Sequence, residues 1–269
     1  MSAEHVVGPY FNNMSSQKKT SSEDLESRLQ HPAFPQPPDP TTKVWRYMDL
    51  AKFVWLLINK KLHFTRLDML DDRHEGTVPA STARGIEKFL KEIGSPTRWK
   101  QLSETFQRSR RSLFVNCWYS GEDESEAMWQ LYCSSGHGVA IQTTYESLVD
   151  SIREAQNTYI GCVTYVDYRS HNFPDANLFY PAMHKRIAFA HEHEVRMMIS
   201  MSTHFSSAQK DIPRSTTLGW DPENLVETIY VNPYAPDYYF EAVQSIIQSI
   251  AATLTQRLEW SQMRSVPFL

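Results

Sequence analysis

Glycine is scarce in this sequence, nine among 269 residues. None falls in the spacing of a P-loop or of a dinucleotide-binding turn. A phosphate cradle of backbone amides of either kind is therefore excluded. The serine nucleophile elbow and the paired CxxC are missing as well. Cysteine is as sparse. Cys117, Cys133 and Cys162 are odd in number, widely spaced and flanked by apolar residues, which fits buried free thiols in a reducing compartment rather than a disulfide framework. No apolar stretch approaches the ~20 residues that a bilayer span needs, and the start MSAEHVVGPYFNNMSS lacks the basic-then-apolar pattern of a secretory signal. A cytoplasmic protein without membrane contact is the expectation. No excess of one charge sign is present either, with 27 Lys+Arg against 31 Asp+Glu and a formal charge of −4. What is there is apolar content, 41%, with 12% aromatics, enough to bury a sizeable core and to exclude wholesale disorder.

The first 42 residues differ from the rest. Six of the 15 prolines lie here, in a run that ends HPAFPQPPDPTT. Proline removes amide donors and fixes φ, so residues 1–42 read as a flexible proline-rich leader, held locally if Phe34 finds a pocket. Residues 43–269 read as a single α+β domain.

From Val44 onward the periodicity is tight. Val44 to Tyr47 suits a strand, Asp49 can cap a helix running to about Lys60, and Leu62 to Thr65 suits a second strand. Ser81 and Ser95-Pro96 open helices. Strands are expected at Leu113–Tyr119, Gly138–Thr143, Tyr159–Tyr168, Val195–Met201 and Val226–Asn232. Helices are expected at Glu124–Ser134, Tyr145–Ala155, from Pro181 towards His191, and from Pro236 to Leu258. The tail from Ser265 to Phe268 can pair on a sheet edge. Six or seven short strands interleaved irregularly with helices predict a mixed, mostly antiparallel sheet flanked by helices.

Several clusters bear on chemistry. Arg46 sits between Trp45 and Tyr47 in a core-like strand. It needs an anionic partner, a ligand phosphate or an aromatic face, or else reaches an edge to meet Asp49 or Glu75. Asp68, Asp71, Asp72 and Glu75 crowd one loop without the spacing of a calcium site, so they read as turn caps and arginine partners. His191-Glu192-His193-Glu194 draws attention as a metal site, but HExxH is absent and no metal is expected. If Glu194 opens a strand, Glu192, Glu194 and Arg196 share one side of it. Carboxylates that close raise one another's pKa, which suits proton handling or a developing cation; the alternative is a surface ladder of paired charges. Met128, Leu131 and Tyr132 read as core, with Trp129 or Tyr132 also able to line a pocket. Between Arg84 and Arg111, eight basic and three acidic residues leave a local excess of five positive charges, a solvated face or a phosphate-backbone surface.

In order, Trp45-Arg46-Tyr47, Phe64-Thr65, Asp72-Arg73-His74-Glu75-Gly76, Met128-Trp129-Gln130-Leu131-Tyr132, Gly138-Val139 and Glu192-His193-Glu194-Val195-Arg196 resemble the mainly bacterial domain-of-unknown-function family 2971. The match runs from about residue 44 to 250. Thr65 stands where the family has serine, and Arg73-His74 where it has a proline and its neighbour. The layout also resembles the ADP-ribosyltransferase superfamily. That resemblance implies an NAD pocket with Arg46, Tyr47, Thr65, Glu75, Trp129, Tyr132 and Arg196 in its walls. It further implies Glu194 as catalytic carboxylate with Glu192 assisting. The expected function is NAD-dependent ADP-ribosyl transfer, of the kind a toxin or phage-defence effector performs, to a protein or nucleic-acid acceptor that the sequence does not name. The rivals are a non-catalytic nucleotide-binding or protein-interaction module and a metal-dependent enzyme acting on nucleic acid.

Overall fold

The computed structural model describes residues 21–95, 97–133, 135–175, 177–201 and 212–265. Chain order runs α1 (Ser21–Leu29), β1 (Lys43–Asp49), α2 (Leu50–Asn59), β2 (Lys61–Arg66), α3 (Ala80–Glu92), α4 (Thr97–Ser112), β3 (Leu113–Ser120), α5 (Glu126–Cys133) and β4 (Gly138–Thr144). It continues through α6 (Tyr145–Ser151), β5 (Thr158–Cys162), β6 (Thr164–Val166), α7 (Tyr180–Met183), β7 (His184–Arg186), a 3₁₀ turn (Ile187–Glu192) and β8 (Glu194–Ser200). It closes with β9 (Ser215–Gly219), α8 (Pro222–Leu225), β10 (Thr228–Val231), α9 (Asp237–Ile250), a 3₁₀ turn (Ala252–Arg257) and β11 (Leu258–Trp260).

Local chemistry explains the elements around the later site. The Asp49 carboxylate accepts the Lys52 N–H at 2.8 Å and starts α2. Lys60, at φ 48°, takes the left-handed turn that ends it and returns the chain at once into β2. Nine strands then form one sheet in the order β11-β10-β4-β1-β3-β2-β9, with β8 on β3 and β5 on β8. Every pairing in it is antiparallel except β10 with β11. The sheet is larger than the six or seven strands expected, and β6 and β7 make a separate parallel pair.

The edge of β3 sets the shape of the molecule. One edge carries β8 along its whole length, from Leu113↔Ser200 to Tyr119↔Glu194. The other edge is shared. β1 takes its far end at Val44↔Ser120 and Trp45↔Tyr119, and β2 takes its near end at Thr65↔Val115 and Arg66↔Phe114. Asn116, Cys117 and Trp118 between them carry neither strand on that edge. The sheet therefore forks, and buried main-chain groups along the fork need side-chain partners. Asn116 Nδ2 supplies one to the His63 carbonyl at 2.8 Å, and Arg46 Nη1 supplies one to the Cys117 carbonyl at 2.8 Å.

Alternation along the strands sorts the side chains. Val44, Met48, Phe64, Phe114, Trp118, Val195, Met197, Ile141 and Ile229 meet α2 and α9 in the main core. The opposite face carries two smaller cores, one around Leu67, Val115, Met198, Phe34 and Phe173 and one around Trp45, Tyr47, Met128 and Trp129. Between these two the face is polar.

Several expectations are corrected. Residues 1–20 of the expected leader lie outside the described residues; the rest of it is held locally, since α1 buries Leu25 and Arg28 and Phe34 is 1% exposed. Phe34 lies against Gly161, where a Cβ would come within 2.8 Å of its backbone, and Cys162 N–H donates to the Pro35 carbonyl at 2.7 Å. The strand expected over Tyr159–Tyr168 is two strands in different sheets. The helix expected from Pro181 stops at Met183, giving way to β7 and a 3₁₀ turn. The long last helix ends at Ile250, and β9 occupies a stretch expected as loop. Pro96 and the tail beyond Ser265 lie outside the described residues. Among the described residues no helix is long and apolar enough to cross a membrane.

Candidate functional site

The fork opens into a cleft of about 840 Å³, within the range of ligand pockets, roughly 300–1,000 Å³. Its floor at one end is a set of five charged side chains. Arg196 on β8 is fully buried. It donates to Glu194 through Nε at 2.6 Å and Nη2 at 2.9 Å, to Glu75 through Nη1 at 3.0 Å and Nη2 at 3.3 Å, and to the Ala182 carbonyl through Nη1. All five guanidinium donors are used. Lys185 on β7 spends its three on Glu75 at 2.9 Å, Glu194 at 3.2 Å and Glu192. Buried ions persist only when matched in this way.

The three carboxylates are not equivalent. Glu194 accepts Arg196 on both oxygens and Lys185 on one. Burial pushes its carboxyl up, but Arg196 and Lys185 outweigh burial and hold it below the ordinary carboxylate range. The Arg196 and Lys185 pKa values rise above their ordinary values, since Glu194 and Glu75 overcome desolvation. Glu192 accepts only Lys185, on Oε2. Among the described residues its other oxygen has no partner. His193 between the two acids is left-handed, at φ 37°, and this break turns the 3₁₀ turn into β8 with both carboxylates lining the cleft.

Arg46 is the counterpart at the fork. Strand alternation puts it beside Val44 and Met48, towards the main core, but the missing ladder leaves it room. Its guanidinium donates to the Cys117 carbonyl and lies 5.8 Å from the centre of the Trp118 ring. Desolvation lowers its pKa. Among the described residues no carboxylate pairs with it, neither Asp49 nor Glu75. Lys52, Lys61 and His63 line the same cleft. The His63 pKa is lowered by burial and then by Arg46 and Lys52. Asp71, Asp72, Glu75, Glu192 and Glu194 line the cleft as well. Lys61 and Thr65, both in the wall, stand about 13 Å apart along β2 at ~3.3 Å per residue.

Of the residues singled out in the sequence, Arg46, Tyr47, Thr65, Glu75, Tyr132, Glu192, Glu194 and Arg196 all line this one cleft. Trp129 does not. It is fully buried, its ring meets Tyr47 edge-on at 4.8 Å, and its Nε1 donates to Glu124 at 2.9 Å. It supports the wall from behind. Tyr132 on the same helix is half exposed and Leu131 is exposed, so neither is core. Burial, Cys117, Glu192 and Glu194 push the Tyr132 hydroxyl pKa up, which keeps it a donor. The crowded acids of the loop do pair with arginines: Asp68 with Arg66 at 2.6 Å and Asp72 with Arg186 at 2.9 Å. Among the described residues no group of three or more His, Cys, Asp or Glu is arranged to hold a metal ion.

Sequence reasoning missed Lys185, placed in an expected helix, and the rim of Lys52, Trp55, Lys61 and His63. The one signal for the rim was Lys60-Lys61 next to His63 at the head of a strand. No protein-family model, curated protein or solved structure significantly matches the chain.

Proposed function

We propose that the cleft takes NAD and that the protein transfers ADP-ribose from it. The observation that carries this reading is one cleft lined both by the Arg46 guanidinium, which has no carboxylate partner among the described residues, and by a cluster of carboxylates. NAD has the matching polarity, an anionic diphosphate and a cationic nicotinamide ring. Cleavage breaks the bond between the ribose C1′ and the nicotinamide nitrogen. The electron pair leaves with the ring, which becomes neutral, and positive charge develops on the sugar. A nucleophile then adds at C1′ and gives up its proton. A carboxylate fixed beside C1′ stabilises that charge as it forms. Glu192 has the free oxygen for this, and Lys185 ties it to Glu194. Glu194, committed to Arg196, acts by holding the group in place. Tyr132 can donate to the ligand. The ordered motif resemblance to family 2971 and to the transferase layout is consistent with this reading.

A second reading is nucleotide binding without turnover. It draws on Glu194, the carboxylate that the resemblance singles out, having both oxygens already occupied by Arg196. Incubating the full chain with NAD separates the two. Release of free nicotinamide, with an ADP-ribose mass increment on a protein or nucleic acid present, supports transfer. Binding without nicotinamide release supports the second reading.

A further inference from the structure

The cationic end of the cleft has no role in the sequence-based assignment beyond Arg46, yet it is built consistently. Arg46 and Lys61 have no carboxylate partner among the described residues. Lys52 shares its charge with Asp49 at 2.8 Å. His63 sits within electrostatic reach of Arg46 and Lys52, and its own carbonyl is held by Asn116. Three cations and an imidazole thus line one cleft, with His63 in reach of two of them. Mutual repulsion of this kind costs stability unless an anion relieves it. The aromatic next to them is Trp55, whose ring meets His63 edge-on at 6.1 Å and remains 38% exposed. An indole left partly in solvent beside cations can stack a planar base.

We propose that this end is a nucleoside-diphosphate subsite, with Arg46, Lys61, Lys52 and His63 on the diphosphate and Trp55 beneath the base. The subsite rests on the reading of the cleft as a nucleotide site and extends it to four residues not assigned before. It fixes polarity: the diphosphate enters at the start of β2, and the sugar to be cleaved reaches Glu192 past Thr65.

The test is titration of the full chain with ADP, inorganic pyrophosphate and adenosine, read by calorimetry and tryptophan fluorescence. ADP is expected to bind more tightly than adenosine, and less tightly as salt is raised. Lys61→Ala, at an exposed position, should weaken ADP and pyrophosphate by roughly tenfold, the effect of losing about 1.4 kcal/mol. Trp55→Ala should weaken ADP but leave pyrophosphate unchanged. The imidazole pKa of His63, followed by NMR, should rise when ADP binds, as the diphosphate offsets Arg46 and Lys52. ADP that does not bind, or that binds with the same affinity to Lys61→Ala and leaves His63 unmoved, would overturn the subsite. Normal NAD cleavage by a Lys61→Ala, Trp55→Ala double variant would overturn it while sparing the proposed function. ADP binding that follows these expectations, with no nicotinamide ever released from NAD, would overturn transfer and keep the subsite.

Discussion

Arg196 and Glu194, two residues apart on β8, lie side by side and share two hydrogen bonds, at 2.6 and 2.9 Å, with neither group open to solvent. Adjacent residues of one strand face rarely settle each other's charge so completely. This pair does so because Glu75 and Lys185 close the ring around them. The unit is therefore structural as much as chemical, and its removal should show first in folding.

Glu194→Gln leaves Arg196 and Lys185 buried with one carboxylate fewer. Loss of one partner from a buried pair costs about 3–5 kcal/mol. Glu192→Gln, at the edge of the same group, should cost distinctly less. Urea denaturation of both variants against the parent checks the order. Equal losses would mean that Glu194 is not the anchor.

Lowering the pH should destabilise the protein in two stages. His31, His63 and His184 all have pKa values lowered by burial, so below the ordinary histidine value the unfolded chain takes up protons that the folded chain refuses. Stability falls there. Glu194 has a folded pKa below its unfolded one. Its contribution is intact above the ordinary carboxylate value and disappears as the pH drops through the folded value. Denaturation midpoints measured from pH 8 to pH 3 should fall in both windows, and His184→Asn should flatten the upper one.

Trp129 and Tyr132 should separate cleanly. Trp129→Ala opens a cavity behind Tyr47 and should cost about 3–5 kcal/mol, whereas Tyr132→Phe, on a half-exposed ring, should leave stability within about 0.5 kcal/mol. For ligand effects the order reverses. Tyr132→Phe should slow nicotinamide release at least several-fold, and Trp129→Phe, which keeps the packing, should leave NAD affinity unchanged. Nicotinamide release and thermal melts of the three variants check this.

The part of the fold legible in the sequence is the part governed by local period. Asp49 as a cap, the apolar stripe of Phe53, Leu56 and Leu57, and the alternation in β1, β2, β3 and β8 could be read directly. Local patterns do not carry tertiary competition. Leu254 and Leu258 continue the stripe of α9 and suggested one long helix, but non-helical backbone at Ala251 (φ −149°, ψ 65°) breaks it and frees Leu258 to pair beside β10. Ser215–Gly219 looks like a loop because its polar side chains face outward from an edge strand. Phe34 among the prolines marked where the leader could be held, but nothing local pointed to Gly161 as its partner.

For the site, motif order brought eight of nine residues to one cleft. Trp129 was misjudged because the three-residue step to Tyr132 does not reveal which side of the helix meets the sheet. Lys185 was missed because its role exists only through the carboxylates around it, and these come from two separated segments, Glu75 after β2 and Glu192 with Glu194 at the start of β8.

Nicotinamide release from NAD, measured on the full chain and on Glu192→Gln under conditions where both are folded, decides whether the cleft transfers ADP-ribose. The parent should release nicotinamide measurably, and Glu192→Gln should lose at least a hundredfold, about 2.7 kcal/mol, with its melting temperature nearly unchanged. Release that is equal in the two proteins, or no release and no NAD binding by the parent, would contradict this expectation.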